Sequence, residues 1–228
     1  MNDIVIEAQS VCKQFFRKGR TSARNFDAVA SADLQLARGQ LVELTGRSGS
    51  GKSTLLNIMA GLLEPTEGKV LLEGQDLYAL DDAALSRLRN ERIGVIPQGQ
   101  TALANLSVIQ NVMLPWCMYR KDDGVEARAF ELLGRLGIAD LADAYPNELS
   151  GGEMRRMAIA RALICEPDVL LADEPTGDLD DENTAAVLQI LRDATDAGVA
   201  VLLVTHEQAA EKYANYVLHM DAGKLMRQ

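Results

Sequence analysis

The sequence predicts an α/β fold: a parallel sheet buried on both faces, a smaller antiparallel sheet beside it, and an inserted run of helices. Three observations carry this. Short, β-branched, doubly apolar segments recur as Ile93-Gly94-Val95-Ile96, Val169-Leu170-Leu171-Ala172 and Ala200-Val201-Leu202-Leu203-Val204, the pattern a sheet covered on both faces requires. The apolar run Leu41-Val42-Glu43-Leu44-Thr45 feeds a Gly-rich turn that opens onto a second apolar run, Thr54-Leu55-Leu56-Asn57-Ile58-Met59. Between Pro97 and Glu166 the pattern becomes helical, most clearly over Val125 to Leu136 and Arg155 to Ile164.

From the N-terminus, Ile4 to Ala8 and Ala32 to Ala37 read as strands separated by a polar loop from Arg17 to Asp27. Lys69-Val70-Leu71-Leu72-Glu73, after the turn Pro65-Thr66-Glu67-Gly68, completes an antiparallel sheet with them. A chain of 228 residues holds one core of this kind, so residues 1–228 are expected to form a single domain, with the helical insertion at about 99–165. No internal repeat is visible.

Charge narrows the function. Acidic residues outnumber basic ones 33 to 23, a net −10, which argues against a nucleic-acid surface. The local basic run Arg17-Lys18-Gly19-Arg20 reads as a solvated loop. Cys12, Cys117 and Cys165 lack metal-ligand spacing and are expected to be reduced thiols in a cytosolic compartment. Asn2-Asp3 precedes a strand-like run instead of a signal peptide. No apolar stretch approaches the ~18 residues of a membrane span, so any action at a membrane needs another chain.

The turn itself is Gly46-Arg47-Ser48-Gly49-Ser50-Gly51-Lys52-Ser53, followed by Thr54. Its glycines let backbone N–H groups curl around a β-phosphate, Lys52 reaches β/γ oxygens, and the Ser53 hydroxyl is placed for Mg²⁺. The strand before it and the helix after it supply the required context, so the residues predict binding of a nucleoside triphosphate.

A second constellation closes the strand Val169-Leu170-Leu171-Ala172 with Asp173-Glu174-Pro175. An acidic pair at the carboxyl end of a buried parallel strand lies where such sheets present ligands. Asp173 suits Mg²⁺ held through water, and Glu174 suits polarising the water that attacks a γ-phosphate. A third feature is Leu149-Ser150-Gly151-Gly152-Glu153. Ser150 and Glu153 make a capping box, but two glycines in the first turn each weaken a helix by about 1 kcal/mol relative to Ala. Something must approach that backbone, and a γ-phosphate fits such a helix end.

In this order the motifs resemble the nucleotide-binding subunit of an ATP-binding cassette (ABC) transporter, over essentially the whole chain. The phosphate loop Gly46 to Ser53, Gln98, the signature Leu149 to Glu153, the Val169 to Glu174 strand, the turn Gly177-Asp178-Leu179-Asp180 and Thr205-His206 all match. The resemblance implies a P-loop NTPase (RecA-like) core and ATP hydrolysis with Mg²⁺. By the same resemblance, Gln98 senses Mg²⁺ and the attacking water, His206 contacts the γ-phosphate, Asp178 lies at a dimer seam, and an aromatic side chain stacks on adenine. Phe15 holds that position, with Phe16 the competitor.

The signature resembles the family's trans element, with Ser150, Gly151 and Gly152 completing the site of the opposite subunit. Two chains related by a two-fold axis would then enclose two ATP molecules. The sequence is most similar to the branch serving lipoprotein release, macrolide and peptide efflux, and division-associated mechanotransmission. That implies a separate permease with few membrane helices and a large external domain, and a place on the cytoplasmic face of the membrane. The coupling surface expected from the family is Gly99 to Leu106 together with Tyr145 to Glu148.

Three residues depart from the family pattern: Pro97 stands where an aromatic is usual, Gln100 where a bulky residue is common, and Arg155 where Gln is frequent. The alternative function is a soluble, non-transport ABC ATPase. Chromosome-maintenance chains place long coiled coils between loop and signature, and ribosome-associated ones carry two cassettes and a basic linker; neither feature is present.

Overall fold

The computed structural model describes residues 3–18, 23–99, 101–120, 123–177 and 179–227. Its elements run β1 (Ile4–Lys18), β2 (Ala23–Ala37), β3 (Leu41–Thr45), α1 (Lys52–Met59), β4 (Glu67–Leu72), β5 (Gln75–Asp76), α2 (Asp82–Arg92) and β6 (Ile93–Ile96). They continue as α3 (Val108–Tyr119), α4 (Val125–Arg135), α5 (Gly151–Leu163), β7 (Val169–Asp173), α6 (Asp181–Asp196), β8 (Ala200–Val204), β9 (Tyr216–Asp221) and β10 (Lys224–Arg227).

The large sheet has six strands in the order β10-β9-β3-β8-β7-β6. Strands β9, β3, β8, β7 and β6 are parallel, and β10 returns antiparallel to β9. Alternation assigns the two faces. Leu170, Ala172, Val201 and Leu203 pack with the helices α3 to α6, while Leu171, Leu202, Val204, Val42 and Leu44 pack with α1 and the second sheet. Both faces are buried, which is why the parallel strands read as continuous apolar runs. The second sheet, β2-β1-β4-β5, is antiparallel. Helix α1 lies between the sheets, with Leu55, Leu56, Ile58 and Met59 buried.

The expected polar loop from Arg17 to Asp27 is corrected. Strands β1 and β2 are each 15 residues long and pair out to Lys18 and Ala23, with Phe15 opposite Phe26. Register shifts between Ala8 and Gln14, and left-handed residues at Ser10 (φ 48°) and Ser31 (φ 50°), break the strict two-residue alternation. A bulged strand therefore carries a sequence pattern that stops reading as a strand at its first bulge. Gly19 and Arg20 of the basic run lie outside the described residues, as do the side chains of Arg17 and Lys18; Gln100 also lies outside them. No helix among the described residues is long and apolar enough to cross a membrane.

Candidate active site

Four neighbouring parallel strands deliver the candidate residues to one edge of the large sheet. The Gly-rich loop follows β3, Gln98 follows β6, Asp173 ends β7, and His206 follows β8. The carboxyl edge of a parallel sheet is where an α/β fold forms its crevice.

Two glycines of the loop are forced by crowding. A Cβ at Gly46 (φ 143°) would lie 2.2 Å from Met220 O, and one at Gly51 (φ 109°) would lie 2.1 Å from Ala28 O. The backbones of β9 and β2 therefore press the loop into its curl. Gly51 is the N-cap of α1, whose first turn holds no acidic residue and no side-chain cap. The helix thus presents bare N–H groups, an anion site by dipole and geometry. Lys52 is buried, and its Nζ donates to Gly46 O (2.7 Å) and Arg47 O (3.1 Å), folding its cation over the loop.

Asp173 is 6% exposed. Among the described residues its Oδ1 has no hydrogen-bond partner. Burial, reinforced by the charge of Glu174, pushes its carboxyl above the usual range, while the Ser53 hydroxyl and the Lys52 ammonium pull the other way. A buried carboxylate oxygen without a partner, beside a serine hydroxyl, is a donor set suited to a hard divalent cation. The residues present therefore fit Mg²⁺.

Glu174 has φ 48°, in the left-handed region, and is pinned there by its N–H to Val204 O (2.8 Å). Gln98 Nε2 donates to Glu174 Oε2 at 2.9 Å, and His206 Nδ1 stands 3.5 Å from Oε1. The side chains of three separate strand ends thus meet on one carboxylate.

A cavity of about 290 Å³ is lined by Ser48, Gly49, Gly51, Lys52, Ser53, Thr54, Gln98 and Glu174, with Phe15, Phe26 and Ala28 on its hairpin side. Gly46, Arg47 and Ser50 belong to the same turn without lining it. The Phe15 ring lies 5.8 Å from that of Phe26, tilted by 30°. Phe16 is absent from the lining and 61% exposed. Phe26 is a site residue the sequence reading missed, because only the extended β1–β2 pairing brings it opposite Phe15.

The signature residues stand apart from this cavity. Ser150 caps α5 through a full capping box: Ser150 N and Oγ both donate to Glu153 Oε2 at 2.7 Å. These bonds hold the Glu153 carboxyl below its ordinary value. Among the described residues, a Cβ at Gly151 would meet nothing within 4 Å, so those residues leave that face of the helix end uncovered. Asp178 lies outside the described residues; its neighbour Leu179 packs against Gly152, 3.3 Å from where a Cβ would stand.

Comparison with known proteins agrees with this architecture. A family model described as "ABC transporter" matches residues 29–177. The lipoprotein-releasing system ATP-binding protein LolD of Shewanella sp. (strain MR-7) is 39% identical over 227 residues, covering 99% of this chain and 96% of that protein. The macrolide export ATP-binding/permease protein MacB of Bradyrhizobium diazoefficiens is 40% identical over 225 residues, covering 98% of this chain. The chain spans 34% of that longer relative. A dimeric ATP-binding cassette solved in a post-hydrolysis state with ADP and Pi superposes with a TM-score of 0.89 at 32% identity, covering 97% of this chain and 98% of that one. By sequence, motif order and fold, the chain belongs to the ABC transporter family, as an ATP-binding and ATP-hydrolysing cassette.

Proposed function

We propose that this cassette hydrolyses ATP between two copies of itself and transmits the closing motion to a separate membrane permease. The single observation that carries the catalytic part is the Glu174 carboxylate, held between Gln98 and His206 at the edge of the phosphate-loop cavity. The α1 N–H groups and Lys52 hold the β- and γ-phosphates, with Lys52 exchanging its loop carbonyls for phosphate oxygens. Phe15, widened by Phe26, offers the aromatic face for adenine. Glu174 polarises the attacking water, Gln98 orients it, and His206 contacts the γ-phosphate.

Ser53, Gln98 and Asp173 would hold Mg²⁺, which when bound neutralises charge on the β- and γ-phosphate oxygens. Ser150, Gly151 and Gly152 act in trans on the γ-phosphate of the partner subunit; Asp178, assigned to the dimer seam by the family resemblance, lies outside the described residues. The uncovered face at Gly151 and the separation of Ser150 from the loop cavity support the trans reading.

The finer assignment is a permease of the few-helix, large-external-domain type, engaged from the cytoplasmic face for lipoprotein release, export or mechanotransmission. The high coverage of a lipoprotein-releasing relative supports it. Exposed Leu103 and Tyr145 supply apolar contacts on the expected coupling segments.

Glu174→Gln tests the catalytic assignment. It should lower kcat by about 10²- to 10⁴-fold, the range for a general base, while nucleotide affinity stays unchanged. Turnover near wild type would remove Glu174 from the mechanism.

A further inference from the structure

Helix α5 carries the signature at its N-terminus and reaches back to the Gln98 segment through two arginines. Arg155 Nη1 donates to the carbonyl oxygen of Pro97 at 3.2 Å. Arg161 Nη1 donates to Thr101 O at 2.8 Å, and its other nitrogen bonds the Thr101 hydroxyl. The stretch from Pro97 to Thr101 is thus fastened to α5 at both ends, with Gln98 between the two anchors. Arg155 also borders the turn on the other side of the site: its Nη2 lies 3.9 Å from where a Gly177 Cβ would stand, and Gly177 N closes a turn onto Glu174 O at 3.2 Å.

We infer that Arg155 is a positioning residue for Gln98, setting the angle at which its amide meets Glu174. The inference rests on the role of Gln98 proposed above. Pro97 has no N–H to offer and a fixed φ, so its carbonyl is the handle by which the residue preceding Gln98 is gripped. A guanidinium donating to that carbonyl makes a charge-assisted bond, roughly twice as strong as a neutral one. Glutamine at position 155 would be a shorter donor without the charge. Pro97 and Arg155 are in direct contact.

The test uses the full chain and reads kcat, KM for ATP and the thermal midpoint of Arg155→Gln, Arg155→Lys, Gln98→Ala and the double variant Arg155→Gln/Gln98→Ala. Arg155→Gln should lose about tenfold to a hundredfold in kcat, the effect of small misplacement of a reacting constellation, with KM within about twofold. Its thermal midpoint should stay at the wild-type value. Arg155→Lys, which keeps a charged donor, should recover most of the rate. In the Gln98→Ala background, Arg155→Gln should add no further loss, because the two act as a unit.

A Gln98→Ala chain turning over at the wild-type rate would overturn the role of Gln98 and this inference with it. An impaired Gln98→Ala beside a fully active Arg155→Gln, or losses that multiply in the double variant, would overturn the inference about Arg155 alone. A fall in thermal midpoint or a raised KM in Arg155→Gln would make the contact one of packing and equally overturn it.

Discussion

Glu174 is held in a backbone conformation that costs a non-glycine residue on the order of 1–3 kcal/mol. The bond from its N–H to the end of β8 and the turn closed by Gly177 maintain it. The side chain meets the Gln98 amide, which donates to it, and stands 3.5 Å from His206 Nδ1, both on neighbouring loops. A different carboxyl has no part in this chemistry: Glu43, in β3, is 3% exposed, and its Oε2 has no partner among the described residues. Burial, with the charge of Glu211 adding to it, pushes Glu43 up to about 7. Because the folded value lies above the ordinary carboxylate value, the stability carried by the neutral form is complete at low pH and is lost as pH rises through about 7. Wild type should therefore lose thermal stability between pH 5 and pH 8 relative to Glu43→Gln. Thermal midpoints of the two proteins running parallel across that interval would refute the assignment.

At the scale of elements, the β1–β2 hairpin and β9 shape the phosphate loop from outside, at Gly51 and Gly46. Gly49→Ala, with nothing among the described residues within 4 Å, should cost about 1–2 kcal/mol for its left-handed φ alone, and Gly51→Ala, which has a positive φ and also drives a methyl against Ala28 O, should cost clearly more than Gly49→Ala. Equal thermal midpoints for the two variants would contradict the crowding argument. The same hairpin marks where the sequence stopped being legible. The strands β3, β6, β7 and β8 were readable because burial on both faces makes them mostly apolar, and the loop and capping box because their chemistry is local. Strand β1 was read only to Ala8, since its bulges scramble the alternation, and Phe26 was lost with it. Helix α3 falls within the stretch read as helical without being singled out, and it carries Pro115 in its interior, where proline disfavours a helix. The grip of Arg155 on Pro97 joins residues far apart in sequence, and no local pattern announces it.

For the whole molecule, the proposed shared site divides one chain into two half-sites, and the signature residues do not line the phosphate-loop cavity. The phosphate loop and Glu174 share one cavity, while Ser150 caps a helix end whose Gly151 face the described residues leave uncovered. In the proposed shared site a bound γ-phosphate joins the loop of one subunit to the Ser150 end of another, so that proposal makes association depend on nucleotide. The direct measurement is sedimentation of Glu174→Gln, which should retain ATP, with and without Mg-ATP, alongside Glu174→Gln/Ser150→Arg. The single variant should sediment as a dimer with Mg-ATP and as a monomer without it, and the double variant as a monomer under both conditions. A dimer that forms regardless of nucleotide and survives Ser150→Arg would contradict the shared site.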